Sequence, residues 1–116
     1  MKTNSYWEST LNNYGKMRSQ VSRNIKTDIA IIGAGYTGLW SAYYLKQKEP
    51  NLNIGVFEGS VAGFGASGRN GGWCSALFPV GLDKLAKQSN RETAIRMQKT
   101  MFETVNEVGR VIEKEN

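Results

Sequence analysis

At 116 residues the chain is long enough for about one domain with a modest core. One cysteine and no histidine exclude an intrachain disulfide, a conventional zinc site and a Ser-His-Asp triad built from its own residues. The formal charge is +5, and most of it lies in residues 1–26, where Lys2, Lys16, Arg18, Arg23 and Lys26 face Glu8 alone; the rest is nearly neutral.

Residues 1–26 are polar and rich in Asn and Ser, and they read as an irregular N-terminal extension with Tyr6 and Trp7 packed against the domain. Their basic groups are scattered rather than clustered, so a solvated extension is the simpler reading than an arm that binds nucleic acid. The first residues lack the apolar core of a signal peptide. No apolar run approaches the roughly 18–20 residues that span a bilayer. The default expectation is a cytoplasmic protein with no membrane span.

The chain then becomes regular. Ile29, Ala30, Ile31 and Ile32 form a short apolar run typical of a strand buried on both faces. Gly33-Ala34-Gly35-Tyr36-Thr37-Gly38 follows directly, and a helix is expected from there towards Lys48. Leu39, Trp40, Ala42, Tyr43, Tyr44 and Leu45 give that helix a broad apolar surface for packing. Lys46 and Lys48 suit its C-terminal end, and Pro50-Asn51 stops it. A second strand, Ile54–Phe57, ends at Glu58.

Strand, glycine turn, helix, strand and acid form the fingerprint of a dinucleotide site. Gly33 permits the tight turn out of the strand. Gly35 lets the main chain approach a pyrophosphate, whose charge the free N–H groups of the helix start favour. Gly38 lets helix and sheet pack closely. Glu58 stands twenty residues after Gly38, where a carboxylate accepts hydrogen bonds from ribose hydroxyls and repels a 2′-phosphate.

Beyond Glu58, five of the ten residues from Gly63 to Gly72 are glycine, which argues against a regular helix or a central strand. A ligand that it wraps would explain a loop this costly to order, the alternative being a flexible linker, which rarely carries Arg-Asn flanked by glycines and then Trp73. The loop's N–H groups, the Ser67 hydroxyl and the Arg69 charge are all suited to a phosphate. Further on, Leu82, Leu85 and Ala86 mark a short amphipathic helix. Ser89 and Glu92 fit the capping box of a second one, with Ser89 as N-cap. Met97, Met101, Val105, Val108 and Ile112 then recur at helical spacing, and the helix is expected to run on to Asn116. That stripe calls for a packing partner, and the chain reads as a fragment of a longer protein.

Taken together, GAGYTGL (residues 33–39), Glu58 and GFGASGRNGGW (residues 63–73) resemble the FAD-dependent oxidoreductases of the D-amino-acid-oxidase-like group. The likeness is greatest to the gamma-glutamylputrescine oxidoreductase branch, whose members carry a GxGASGRNGG stretch after the ribose-binding acid. Ser5-Tyr6-Trp7 also looks like the lead-in of that branch. The resemblance implies an α/β, Rossmann-like FAD-binding domain. Residues 27–116 would be its N-terminal βαβ part with the following helices, incomplete and without a substrate domain.

The cofactor so implied is FAD. By this likeness Gly33, Ala34, Gly35, Tyr36, Thr37 and Gly38 line the pyrophosphate, and Glu58 holds the adenosine ribose. Ala66, Ser67 and Gly68 pass the pyrophosphate and ribityl region. Arg69, Asn70, Gly71 and Gly72 bring main chain towards the isoalloxazine ring. In such enzymes an amine or amino acid gives a hydride to the flavin, and the resulting imine is hydrolysed. The implied partners are that small-molecule substrate and the missing C-terminal part of the same protein. No metal ligand and no catalytic residue can be named, and the chain alone is expected to be inactive. Cys74, the one candidate for a covalent flavin link, is not expected to form it. On the residues alone two alternatives stay open: an NAD-dependent Rossmann dehydrogenase, or a non-catalytic nucleotide-binding module. The first leaves the second glycine stretch unexplained, and the second leaves the apolar stripe of residues 97–112 without a partner.

Overall fold

The computed structural model describes residues 5–11 and 17–115. Lys2 and Lys16 of the basic lead-in, and Asn116 at the end of the expected helix, lie outside the described residues. The order of elements is α1 (Tyr6–Thr10), β1 (Ile29–Ile32), α2 (Tyr36–Lys48), β2 (Ile54–Phe57), a 3₁₀ turn (Ala66–Gly68), α3 (Leu82–Gln88) and α4 (Arg91–Glu115). Two compact units result, the first ending at Gly71 and the second beginning at Gly72.

In the first unit β1 and β2 pair in parallel, with Ile29 opposite Ile54 and Ile32 opposite Phe57. A parallel pair needs a crossover, and α2 supplies it. Asp28 and Asn53 tie the strand starts together from both sides. Asp28 N–H donates to the Asn53 carbonyl at 2.9 Å, and Asn53 N–H donates to the Asp28 carboxylate at 2.8 Å. The glycine within β2 has a packing reason too, because a Cβ at Gly55 would lie 2.7 Å from the ring of Phe57.

One expectation for β1 is corrected. Ile29 and Ile31 are half-buried, with Ile31 on the side of α2, but Ala30 and Ile32 are exposed, Ile32 by 82%. A run this apolar suits a strand covered on both faces, yet among the described residues the sheet has only two strands. The strand therefore shows one covered and one open face.

The helix α2 matches the expected span, and three of its four aromatics, Trp40, Tyr43 and Tyr44, pack on one another. Trp40 stacks on Tyr44 at 5.5 Å and meets Tyr43 edge-on. The lead-in differs more from expectation. Residues 17–27 carry no helix or strand, as expected, but residues 6–10 form a helical turn. Tyr6 and Trp7 are 72% and 49% exposed rather than packed against the domain, and the residue buried from this helix is Glu8. Ser5 and Glu8 form a complete capping box, S-x-x-E, a signal present in the sequence.

In the second unit α3 packs on α4, with Ala94 buried. Gln98 donates to the Ala76 carbonyl at 3.1 Å and so fixes the segment ahead of α3. The expected cap moves by one residue. Asn90 accepts the N–H of Thr93 at 2.8 Å, so Asn90 caps α4, while Ser89 ends α3. Both residue types cap well, and the chain reversal between the two helices leaves Asn90 at the turn's exit. Along α4, Met101, Val105 and Val108 are half-buried, but Met97 and Ile112 remain 38% and 55% exposed. Among the described residues no helix is long and apolar enough to cross a membrane.

Candidate functional site

The parallel ladder continues past β1 into the glycine turn. Gly33 N–H donates to the Phe57 carbonyl at 2.7 Å, and the next N–H, that of Ala34, donates to the Glu58 carboxylate at 2.9 Å. Backbone pairing thus passes into side-chain pairing at the position where the strands end. The second Glu58 oxygen accepts Ser60 N–H at 3.1 Å. These N–H donors, Ala34 first and then Ser60, hold the Glu58 carboxyl below its usual pKa, so it is anionic at neutral pH.

Gly33 turns the chain at φ +100°, a conformation that L side chains rarely adopt. Helix α2 then starts from Gly35, whose lack of a side chain leaves the helix without the usual cap. The first helical N–H, that of Tyr36, is taken by the hydroxyl of Ser67 at 3.0 Å. The N–H groups of Thr37 and Gly38 follow within the first turn, where the helix offers them no carbonyl. Gly38 has its own reason: a Cβ there would lie 2.0 Å from the Gly33 carbonyl oxygen and 3.3 Å from Ile31.

The second glycine stretch folds onto the first. Gly63 N–H donates to the Ala34 carbonyl at 2.9 Å, and Ser67 sits so close to Gly35 that a Cβ there would meet its hydroxyl at 2.9 Å. The turn Ala66–Gly68 repeats the device of the first loop, since a Cβ at Gly68 would lie 2.3 Å from the Gly63 carbonyl. Gly33–Gly38, Glu58 and Ala66–Gly68 are therefore neighbours in space, although their sequence positions span more than thirty residues.

The last four positions of the stretch, Arg69 to Gly72, behave differently. Arg69 is not directed outward to a phosphate. Its Nε donates to the Phe64 carbonyl at 2.6 Å, its guanidinium lies 4.5 Å from the Phe64 ring centre, and Nη2 stands 3.4 Å from a Glu8 oxygen. Asn70 donates from Nδ2 to the carbonyls of Ala66 and Ser67 and closes the turn from behind. Gly71 ends the first unit and Gly72 opens the second. Cys74 is exposed. Sequence reading missed Glu8, whose only signal was the S-x-x-E pattern.

The family model described as FAD dependent oxidoreductase (DAO) matches residues 28–115. Gamma-glutamylputrescine oxidoreductase of Escherichia coli K12 is 37% identical over 101 residues, covering 87% of this chain and 23% of that protein. The probable oxidoreductase OrdL of Haemophilus influenzae is 38% identical over 87 residues, 75% of this chain and 20% of that protein. Coproporphyrinogen III oxidase of Staphylococcus aureus is 62% identical over a shorter stretch of 32 residues. The chain spans less than a quarter of the length of the curated relatives it matches. No solved structure matches the chain.

Proposed function

The chain belongs to the family of FAD-dependent oxidoreductases, and we propose that it supplies the FAD-binding N-terminal part of an enzyme that oxidises an amine or an amino acid. The family's cofactor favours FAD over the NAD alternative that a glycine turn by itself leaves open. Residues 27–116 are read as the N-terminal portion of the FAD-binding domain, with the substrate-contacting groups supplied from outside them.

The observation that carries the reading is the meeting of Ser67, Glu58 and the start of α2 at one turn, where the N-cap residue Gly35 has no side chain of its own. A helix start favours an anion through the helix dipole and its remaining N–H groups, here those of Thr37 and Gly38 beyond the one that Ser67 takes. Gly33, Ala34, Gly35, Tyr36, Thr37 and Gly38 would present that surface to the pyrophosphate. A Cβ at position 35 would intrude on it. Glu58, held ionised, has the chemistry to accept the donors of a ribose diol, and it opposes a 2′-phosphate. The residues present thus fit FAD.

Ala66, Ser67 and Gly68 would continue the contact along the ribityl chain. Arg69, Asn70, Gly71 and Gly72 would contribute main chain nearer the ring, the Arg69 and Asn70 side chains being engaged within the protein. Bound there, FAD supplies a two-electron acceptor for a hydride from the carbon beside the substrate nitrogen. The protein's part is to hold the dinucleotide extended and oriented. The amine class rests on the E. coli relative, whose name specifies gamma-glutamylputrescine.

The test is a titration of the intact protein with FAD and, separately, with NADH, followed by anaerobic addition of amines and amino acids. Binding of FAD alone, with bleaching of its visible band by an amine, is the expected result. Failure to bind FAD overturns the cofactor reading, and a bound flavin inert to every amine and amino acid overturns the substrate class.

A further inference from the structure

Glu8 is 4% exposed and is the buried charged residue among those described. Taking a carboxylate out of water is costly unless it is paired and hydrogen-bonded. It is both. One oxygen accepts the Ser5 N–H at 2.7 Å, and the other stands 3.4 Å from Arg69 Nη2. Ser5 adds a contact of its own, its hydroxyl donating to the Gly68 carbonyl at 3.3 Å.

The helix that carries these residues spans only Tyr6–Thr10. An isolated helix this short does not hold in water, and its aromatic residues, Tyr6 and Trp7, face solvent. Its fixed points are polar, and they fall on Gly68 and Arg69. Those two residues adjoin Ser67, whose hydroxyl takes the first N–H of α2. A continuous line of contacts therefore runs from Glu8 through Arg69 and Gly68 to Ser67 and the start of α2.

We infer that Glu8 is a positioning residue: through its ion pair with Arg69 it clamps the turn Ala66–Gly68 in the shape that receives the dinucleotide. This rests on the FAD reading given above. Glu8 touches no cofactor; it acts by ordering a glycine-rich turn before binding, so that binding does not bear that entropic cost. Removing the clamp lets the turn populate other shapes, and affinity falls by the fraction left competent.

The test uses the intact protein and two readouts, the amide hydrogen exchange of residues 64–71 without FAD and the dissociation constant for FAD. Glu8→Gln keeps the size and removes the charge, and Glu8→Ala removes both. Each is expected to speed exchange in residues 66–70 and to weaken FAD binding about tenfold, the scale of one charge-assisted hydrogen bond. Tyr6→Ala, on the exposed side of the same helix, is expected to change neither. Glu8→Gln guards against misfolding of the alanine variant, and unchanged exchange in α2 shows that the fold persists. Wild-type exchange rates and affinity in Glu8→Gln overturn the inference. So does faster exchange with unchanged affinity, which would leave α1 a purely structural clasp. A wild-type protein that binds no FAD overturns the cofactor reading and, with it, this one; the two failures differ in whether the wild type binds.

Discussion

The hydroxyl of Ser67 lies 3.0 Å from the backbone nitrogen of Tyr36, 31 positions earlier in the chain. One glycine-rich segment thereby caps the helix that the other one starts. The contact is possible because position 35 is glycine, and it places a polar oxygen where an anion would be favoured.

Ser67→Ala removes this bond and is expected to cost about 1 kcal/mol, the usual loss of a helix cap. Gly35→Ala sets a methyl 2.9 Å from the Ser67 hydroxyl and displaces it. The two changes share one contact, so their effects are expected not to add. In the Ser67→Ala background Gly35→Ala should cost little further stability, the remaining neighbour, the Cβ of residue 67, being 3.8 Å away. Urea unfolding of the four members of the cycle measures this. On the proposed reading of the glycine turn, FAD affinity is expected to fall in every member that carries Gly35→Ala, because the methyl would still stand at the surface proposed for the pyrophosphate.

Gly38→Ala and Gly68→Ala are expected to be far more damaging. The added Cβ would meet a backbone carbonyl at 2.0 Å in the first case and 2.3 Å in the second. Backbone cannot rotate aside as a hydroxyl can, so each turn must open. A loss of about 3 kcal/mol or more is expected, at the upper end of overpacking effects. Gly65→Ala, where a Cβ meets nothing within 4 Å, is the control and should lie near the wild type. Thermal melts of the three variants give the comparison.

The contrast between these sites and Glu8 shows what the sequence made legible. The run from Ile29 to Glu58 could be read because each of its parts is specified locally. β-Branched residues make the strands, Gly33 a turn, a broad apolar surface closed by Lys46, Lys48 and Pro50 the helix, and spacing alone brings Glu58 to the turn. The Glu8–Arg69 pair depends instead on where a distant loop returns, which no local pattern encodes. Tyr6 and Trp7 drew the expectation of packing because they are large and apolar, but their short helix turns its acid inward. Ser89 and Asn90 are near equals as caps, and only the geometry of the reversal separates them. The two-faced burial read for β1 presumed covering elements that residues 5–11 and 17–115 do not supply.

Glu58 sets a pH dependence. Its folded pKa lies below its ordinary value, with the Ala34 and Ser60 N–H bonds as the main causes. The unfolded chain therefore binds the proton first as the pH drops. The stability that Glu58 contributes is complete above the unfolded carboxylate pKa of about 4.3, and it is lost as pH falls through the lowered folded value. Stability between pH 5 and 8 should carry no slope from this group. Glu58→Gln is expected to flatten the acid limb of the stability curve, measured by urea unfolding between about pH 3 and 6. If Glu58 holds the ribose as proposed, the same variant should relax the discrimination against a 2′-phosphate, read by competition between adenosine ribose analogues with and without it.

Asn90 offers a test in the second unit that is independent of any cofactor. Its side chain accepts Thr93 N–H at 2.8 Å, and its carbonyl accepts Ala94 N–H at 3.1 Å to start the helix. Asn90→Ala removes the first of these and leaves a donor in the opening turn without its cap. A loss of about 1 kcal/mol is expected. The Ser89 hydroxyl accepts the adjacent Asn90 N–H, at 2.6 Å, rather than an N–H of the first turn of α4. Ser89→Ala should therefore cost less than Asn90→Ala, and faster amide exchange at Thr93 should follow the Asn90 change alone. An equal or larger loss for Ser89→Ala would return the cap to Ser89, as the S-x-x-E pattern at Ser89–Glu92 first suggests.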